Sequence, residues 1–285
     1  MRSIFALSAF TSLVSAFCDH GTTLNPRQND IGQTLELAFS GIGGPLEWGH
    51  LNESYRICAT GTSQSPINIR SHNMTTIAGS HLGFDLPNMP EGAEFENLGK
   101  TVEVNTTGTL TRDGKAFKLA QFHFHTPGEH QIDSHYYPLE VHFVFQAEDK
   151  EIAVVGFLME PGTEEEGSKL FKNVFQNLAQ IPTRGLKTVT AALDFTELRD
   201  HLHRSHVFQY TGSLTVPPCS QNLLWHVVQE PLFIDLTSFR AVRKTMGFNA
   251  RYIQNPPGEV NLLQHACRLL REDDEAEARR LAPAA

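Results

Sequence analysis

Residues 121–130 read QFHFHTPGEH, and their alternation of polar and aromatic side chains is typical of a β-strand with one buried face. Residues i and i+2 of a strand point to the same face of a sheet, so His123 and His125 project together. Phe122 and Phe124 lie on the opposite face, which we expect to be buried. The run therefore predicts two imidazoles held side by side on one face of a sheet.

A third histidine occurs in a second strand-like run, residues 139–146, which read LEVHFVFQ. If the two strands pair antiparallel, His142 joins His123 and His125, and three imidazoles converge on one point. Three neutral nitrogen ligands with an open fourth position are typical of a catalytic zinc site, which lowers the pKa of its bound water to about 7. Packing or surface exposure is the commoner role of a His-x-His pair taken alone.

Two further polar residues accompany the histidines in these strands. Gln121 shares a strand face with His123 and His125, and Glu140 shares one with His142. A metal-bound histidine usually donates its second ring N–H to a carboxylate or carbonyl oxygen, which fixes the tautomer. A buried glutamate without a partner is costly. We therefore interpret Gln121 and Glu140 as hydrogen-bond acceptors behind the metal ligands.

Five motifs together resemble the α-class carbonic anhydrases in order and separation: QFHFH, GEH, LEVHF, QSPINI at residues 64–69 and SLTVPPC at residues 213–219. The similarity extends from about Trp48 to about Gln254. It implies a zinc lyase that hydrates carbon dioxide reversibly to bicarbonate and a proton. It also implies a mainly β fold, a single domain with a large twisted, mostly antiparallel central sheet and a few peripheral helices.

The resemblance implies roles for individual residues. His123, His125 and His142 match the family's three Zn²⁺ ligands. Thr215 matches the threonine that accepts a hydrogen bond from zinc-bound hydroxide and donates its own proton to a carboxylate, here Glu129. The same nucleophile is expected to hydrolyse activated esters slowly. The wall of the substrate pocket is matched by apolar residues that would otherwise be interpreted as core: Val144, Val154, Leu214, Val216 and Trp225.

Two positions depart from the family pattern. Lys100 stands where many relatives have a proton-shuttle histidine. A lysine with a pKa near 10.4 stays charged, whereas a histidine near 6.5 exchanges protons readily. We therefore expect slower turnover that responds to added buffer. His50 stands where relatives often have tyrosine, and it is either a substitute relay or a surface or packed histidine.

The composition limits the classes of function. The chain has 285 residues, of which 40% are hydrophobic and 19% charged, as expected for one globular domain. The net charge of −9 gives no electrostatic support for binding nucleic acid. After residue 16 no apolar segment is long enough to span a membrane. The expected partner is therefore the small-molecule substrate, carbon dioxide or bicarbonate.

The amino terminus is interpreted as a secretory signal, because Arg2 precedes a short apolar run that ends in Val14-Ser15-Ala16. A buried first helix is the alternative. Export permits disulfides and glycans. The resemblance implies a bridge between Cys58 and Cys219. Cys18 is then left to pair either with Cys267 or with a second copy of the chain in a homodimer. Three sequons begin at residues Asn52, Asn73 and Asn105.

The predicted organisation is a signal peptide at 1–16, an irregular or partly helical arm at 17–44, the carbonic anhydrase domain at 45–270 and a charged, solvated or frayed tail at 271–285. Helices are predicted at 168–180 and 236–245 from their apolar periodicity. Strands are predicted at turn-punctuated spacing over 93–98, 101–105, 115–125, 139–146, 152–159, 189–192, 206–211 and 223–228.

Two other kinds of protein remain as alternatives. One is a non-catalytic binding or adhesion domain on the same fold, but such relatives usually lack one or more of the zinc histidines. The other is a different zinc hydrolase. The absence of an HExxH motif and of a general-base carboxylate beside the ligands argues against that class.

Overall fold

A computed structural model describes residues 37–281, with side chains described as far as residue 273. The predicted signal peptide and most of the predicted arm, residues 17–36, lie outside this part of the chain. Residues 37–44, at the end of the arm, form turns and bends without helix or strand.

Fourteen strands occur in the described chain: β1 (Asn68–Ile69), β2 (Thr76–Ala78), β3 (Gly83–Asp85), β4 (Glu94–Asn97), β5 (Val102–Asn105), β6 (Thr109–Arg112), β7 (Lys115–His125), β8 (Gln131–Ile132), β9 (His135–Tyr136), β10 (Leu139–Gln146), β11 (Ile152–Gly162), β12 (Lys187–Val189), β13 (His206–Ser213) and β14 (Gln221–Asp235). Eleven of them form one sheet, in the order β12-β4-β5-β7-β10-β11-β14-β13-β2, with β6 attached to β7 and β3 attached to β6. Within this sheet, among the described strands, only β11 and β14 pair parallel; β1, β8 and β9 form a separate small sheet in which β1 and β8 are also parallel. The predicted large, mostly antiparallel central sheet is confirmed.

Helices lie around this sheet and are mostly short: α1 (Trp48–Leu51), α2 (Ile57–Thr60), α3 (Lys169–Phe175), α4 (Thr196–Arg204), α5 (Leu236–Met246) and α6 (Leu262–Leu281). Single 3₁₀ turns occur at Glu53–Tyr55, Gly79–His81 and Leu178–Gln180. None of these helices, over the residues described, is long and apolar enough to cross a membrane.

Strand β7 has one face in the core and the other at the site, and a β-bulge joins its two halves. Phe117 and Leu119 are buried in the first half, and Phe122 and Phe124 in the second. The pairing with β10 skips Ala120, so Ala120 and the next residue both face away from the core. The second half therefore presents its phenylalanines to the core and its histidines to the opposite face.

The main core lies beneath the phenylalanine face of β7 and β10. Phe122 stacks on Phe143 with ring centroids 4.7 Å apart, and Phe124 contacts Phe175 of α3 at 4.8 Å. Such aromatic pairs add about 0.5–1.5 kcal/mol beyond the area that they bury. This packing holds the histidine face of β7 in a fixed position.

The predicted strands are confirmed within three residues, except that β14 continues to Asp235, beyond the predicted end at residue 228, and that the strand predicted at 189–192 is displaced. The observed strand ends at Val189, and it begins at Lys187, whose ammonium group pairs with Glu94 and Glu96 on the neighbouring strand. The helix predicted at 168–180 is divided into α3 and a 3₁₀ turn, and α5 matches its prediction closely. Helices α1, α2, α4 and α6 were not predicted, and α6 continues through the charged tail to Leu281.

Candidate metal centre

The antiparallel pairing of β7 and β10 brings the three predicted histidines together. His142 lies directly opposite His123, and Glu140 lies opposite His125. One ring nitrogen from each histidine lies within 4.8 Å of the other two. The convergence expected from the strand pattern is therefore present.

Each imidazole is oriented by a hydrogen bond on one nitrogen. His123 Nδ1 is 2.8 Å from Gln121 Oε1, His125 Nδ1 is 2.9 Å from the carbonyl oxygen of Asn249, and His142 Nε2 is 2.7 Å from Glu140 Oε1. If these nitrogens donate, the lone pairs left are on Nε2 of His123, Nε2 of His125 and Nδ1 of His142. His125 Nε2 is buried and has no hydrogen-bond partner in the described chain.

Burial keeps the three imidazoles neutral. It lowers the pKa of His123 and His142 below the ordinary value and that of His125 to about 4. Neutral imidazoles have the free lone pairs that a divalent metal needs. Three such nitrogens, one of them buried without a partner, fit a zinc ion bound by three protein ligands.

Glu140 is the most heavily hydrogen-bonded side chain at the site. Its carboxylate accepts from His142 and, at 2.7 Å, from His130 Nδ1. It also accepts the backbone N–H groups of Glu129 at 2.7 Å and of His130 at 2.8 Å. Burial alone would raise the pKa of Glu140, but the charges and hydrogen bonds of the two histidines hold it well below the usual value. These hydrogen bonds account for the close grouping of His130, Glu140 and His142.

Glu129 and Thr215 are both buried near the histidines. Glu129 Oε1 accepts the backbone N–H of Arg251 at 2.9 Å and lies 3.5 Å from His125 Nδ1. Its second oxygen has no partner of normal hydrogen-bond geometry in the described chain. Burial raises the pKa of Glu129 to about 7, and the nearby Thr215 side chain lowers it in part. The predicted pair is therefore close together.

Four of the five predicted pocket residues belong to one apolar cluster. Val144, Val154 and Trp225 are successive neighbours across β10, β11 and β14, and Leu214 packs against the same cluster. The Trp225 ring meets that of His142 with centroids 4.9 Å apart. The fifth residue packs elsewhere: Val216 lies against the cluster that contains Trp48 and the disulfide.

The two predicted relay positions differ in exposure. Lys100 is exposed in the turn between β4 and β5, and His50 is half-buried in α1. Relay roles for both residues stay predictions.

Several residues of the site were missed by the sequence analysis. Asn249 accepts from His125, and its side chain also contacts the backbone of Phe124 and Thr126. Arg251 holds Glu129 through its backbone, while its buried guanidinium donates to the carbonyl groups of Ser65 and Cys58 at 2.8 and 2.9 Å. Tyr210 hydrogen-bonds His130 Nε2 at 2.6 Å. Nothing in the local sequence pattern around these residues points to the site.

The predicted disulfide is present between Cys58 and Cys219. Both cysteines are fully buried, and the bridge joins α2 to the turn that carries Thr215. Of the sequon asparagines, Asn73 is exposed, whereas Asn52 and Asn105 are half-buried. Cys18 lies outside the described residues.

Comparison with known proteins gives consistent matches. A family model described as eukaryotic-type carbonic anhydrase matches residues 43–272. A carbonic anhydrase of Neisseria gonorrhoeae is 32% identical over 219 residues, 76% of this chain and 82% of that protein. Alpha carbonic anhydrase 7 of Arabidopsis thaliana is 28% identical over 260 residues, 88% and 90% of the two chains. The structure of a fungal alpha carbonic anhydrase from Aspergillus oryzae matches with a TM-score of 0.79 and 44% identity, covering 81% of this chain and 98% of that one.

Proposed function

The chain belongs to the eukaryotic-type carbonic anhydrase family, and on that premise we propose that it hydrates carbon dioxide reversibly to bicarbonate and a proton with a Zn²⁺ ion held by His123, His125 and His142. The observation that carries the proposal is the convergence of three neutral imidazoles with one buried, unpartnered nitrogen. When bound there, zinc supplies hydroxide at neutral pH.

Thr215 and Glu129 orient the attacking group. If the Thr215 hydroxyl donates its proton to Glu129, its oxygen can only accept a hydrogen bond from the attacking oxygen. An oxygen that donates to Thr215 is left with its lone pair directed at the substrate. Glu129 is held for this role by the backbone N–H of Arg251.

The apolar wall receives the substrate. Carbon dioxide is small and carries no net charge, so it needs an apolar cavity and no charged side chain to bind it. Val144, Val154 and Trp225 lie in one row of the sheet, two residues along from the row of His142 and therefore on the same face. We infer that Leu214 closes the same wall and that Val216 borders it. Many relatives have a second threonine at the position of Val216, so the valine leaves the pocket without that hydroxyl.

Proton export is proposed to limit the rate. Each cycle releases a proton that must reach solvent, and exposed Lys100 stands where many relatives have a proton-shuttle histidine, the side chain better suited to relaying protons. His50 is half-buried in α1 and is the alternative relay. Small buffers that enter the site are expected to carry the proton instead. Slow hydrolysis of activated esters is expected from the same nucleophile.

We further propose that the protein is exported and glycosylated. Support comes from the buried Cys58–Cys219 disulfide, because disulfides persist in oxidising compartments. The signal-like residues 1–16 and the sequons at Asn52, Asn73 and Asn105 fit this location. Cys18 is proposed to pair with Cys267 or to link two copies in a homodimer.

The decisive experiment is stopped-flow carbon dioxide hydration by zinc-loaded protein at several imidazole concentrations, beside a His142→Ala variant. We expect rapid, zinc-dependent turnover that rises with buffer and is lost in the variant. Turnover that does not change with imidazole concentration would contradict the proposal that the protein lacks an efficient internal proton relay. Bound zinc without turnover would instead indicate a binding protein that keeps its metal for structure.

A further inference from the structure

Glu103 lies on the site face of the sheet, one strand away from the histidine cluster. Val102 and Val104 on either side of it are buried in the main core, so Glu103 points to the opposite face of β5. The register of β5 on β7 places it directly opposite His123. Side chains opposite each other in an antiparallel pair have Cβ atoms about 4.5–5.5 Å apart. A carboxylate therefore stands beside one of the proposed metal ligands.

A row of charged side chains continues from Glu103 toward the sheet edge. Glu103 lies opposite Glu96 on β4, and Glu96 lies opposite Lys187 on β12. The Lys187 ammonium group is 2.9 Å from Glu96 and 3.0 Å from Glu94, so its charge is shared by those two carboxylates. Within residues 37–273, no hydrogen bond or ion pair joins Glu103 to another side chain.

The surroundings of Glu103 are electrostatically negative. The side chain is half-buried, and burial raises the pKa of Glu103. The neighbouring charge of Glu96 raises it further, and that of Lys187 lowers it in part. A carboxylate crowded in this way repels a second negative charge that enters from solvent. Carbon dioxide carries no net charge and does not experience this repulsion.

We propose that Glu103 determines the anion affinity of the site, because its carboxylate weakens the binding of bicarbonate and other monovalent anions beside His123. This inference rests on the proposed carbonic anhydrase function, since the anions in question are those that would bind at its metal. It makes Glu103 a specificity-determining residue that favours release of the anionic product and leaves entry of the neutral substrate unaffected.

The test is an equilibrium titration that does not depend on turnover. Cobalt-substituted protein would be titrated with thiocyanate and with bicarbonate at pH 8.5, and the visible spectrum of the Co²⁺ site would report binding. Glu103→Gln is expected to bind both anions about 3- to 10-fold more tightly. A unit charge roughly 8 Å away has this effect when the effective dielectric constant is about 30 to 60.

Two variants separate charge from shape and position. Glu103→Asp keeps the charge and is expected to bind anions as weakly as the unmodified protein. Glu94→Gln removes a charge one row farther from the histidines, at the position opposite Asn105, and is expected to change anion affinity less than twofold. Circular dichroism and metal content would verify that all variants are folded and loaded.

The outcomes distinguish this inference from the function on which it rests. Unmodified protein that binds neither zinc nor cobalt would overturn both. Active, metal-loaded protein with equal anion affinity in Glu103→Gln and the unmodified chain would overturn the role of Glu103 alone. Equal tightening in Glu103→Gln and Glu94→Gln would assign the effect to overall charge and would also overturn it.

Discussion

Glu140 links the metal centre to the protein interior through four hydrogen bonds. Two come from His130 and His142, and two from backbone N–H groups at the end of the loop after β7. A buried carboxylate with this many donors is strongly favoured in its charged form. It fixes the ring of His142 and raises the basicity of that imidazole, and an imidazole that donates to a carboxylate is a better metal ligand.

Substitution of Glu140 by glutamine is therefore expected to weaken zinc binding about 10- to 100-fold, as outer hydrogen-bond partners of metal ligands typically do. The glutamine keeps the shape but removes the negative charge facing two imidazoles. Zinc affinity would be measured by competition with a chromogenic chelator. The matched control is Glu160→Gln, which alters a glutamate paired with the exposed His135. Unchanged affinity in Glu140→Gln would contradict this role.

At the scale of single residues, strand periodicity was sufficient to predict the convergence of the three histidines and the acceptors of two of them. Gln121 and His123 on β7, like Glu140 and His142 on β10, are two residues apart, and that period is visible in the sequence. Asn249 and Arg251 were missed because their contacts come from a loop about 120 positions away along the chain. Such contacts depend on the whole fold, and no local pattern encodes them.

The turn that carries Thr215 is held to the rest of the chain by the Cys58–Cys219 disulfide. The bridge spans 161 residues, and both sulfurs are buried beside Trp48 and Tyr55. Replacing both cysteines by serine is expected to lower the free energy of unfolding by about 2–4 kcal/mol, mainly because the unfolded chain regains the entropy of a closed loop.

Urea unfolding of the double variant beside the unmodified protein would measure this change. A midpoint that does not move would show that the bridge is dispensable. We also expect the variant to hydrate carbon dioxide more slowly at temperatures where it is still folded, because Thr215 is no longer anchored to α2.

Strand β11 approaches the metal centre closely at Gly156, which lies opposite His142. A Cβ atom there would stand 3.2 Å from Glu140 Oε1 and 3.6 Å from His142 Cδ2. Alanine at this position is expected to displace the carboxylate by a few tenths of an ångström and weaken zinc binding, with a cost to stability of about 1–3 kcal/mol for overpacking.

The measurement is zinc affinity together with thermal unfolding of Gly156→Ala. Gly114→Ala serves as a contrast, because nothing lies within 4 Å of a Cβ added there, although its positive φ strains the turn. Lower stability in both variants but weaker zinc binding only at Gly156 would support the close approach. Equal zinc affinity in both variants would contradict it.

Strands were predicted more accurately than helices for a physical reason. A strand of the central sheet has alternating or continuous apolar residues, as in β10 and β11, and turns delimit it. Helix α4 is strongly polar and buries only Leu198 and Leu202, so few apolar residues mark it in the sequence. The position of β12 depends on the ion pairs of Lys187 with the adjacent strand, which a linear pattern does not show.

The whole molecule also contains a buried histidine away from the metal centre. His226 in β14 is fully buried near the backbone of Val154, and neither ring nitrogen has a partner of normal hydrogen-bond geometry in the described chain. Burial, with the positive charge of Arg112, lowers the pKa of His226 to about 4. The unfolded chain keeps a histidine pKa near 6.5. Between these two values the unfolded state binds one more proton than the folded state.

Stability is therefore expected to fall as the pH drops from 6.5 toward 4, by about 1.4 kcal/mol per pH unit for His226. His125 contributes in the same window in metal-free protein. Urea unfolding of metal-free protein at pH 6.5 and pH 5 would measure the slope, which should be shallower in His226→Gln. The control is the same substitution at the exposed His72, where an equally shallow slope would refute the assignment.

The bulge in β7 makes one residue of that strand expendable. Because Ala120 is skipped in the pairing with β10, its deletion would join Leu119 to Gln121 in unbroken alternation, and every phenylalanine and histidine would keep its face. Deletion of any one residue between Gln121 and His125 would instead move some of these side chains to the opposite face of the sheet. Insertions and deletions that related chains have accumulated in this strand should therefore be confined to the bulge.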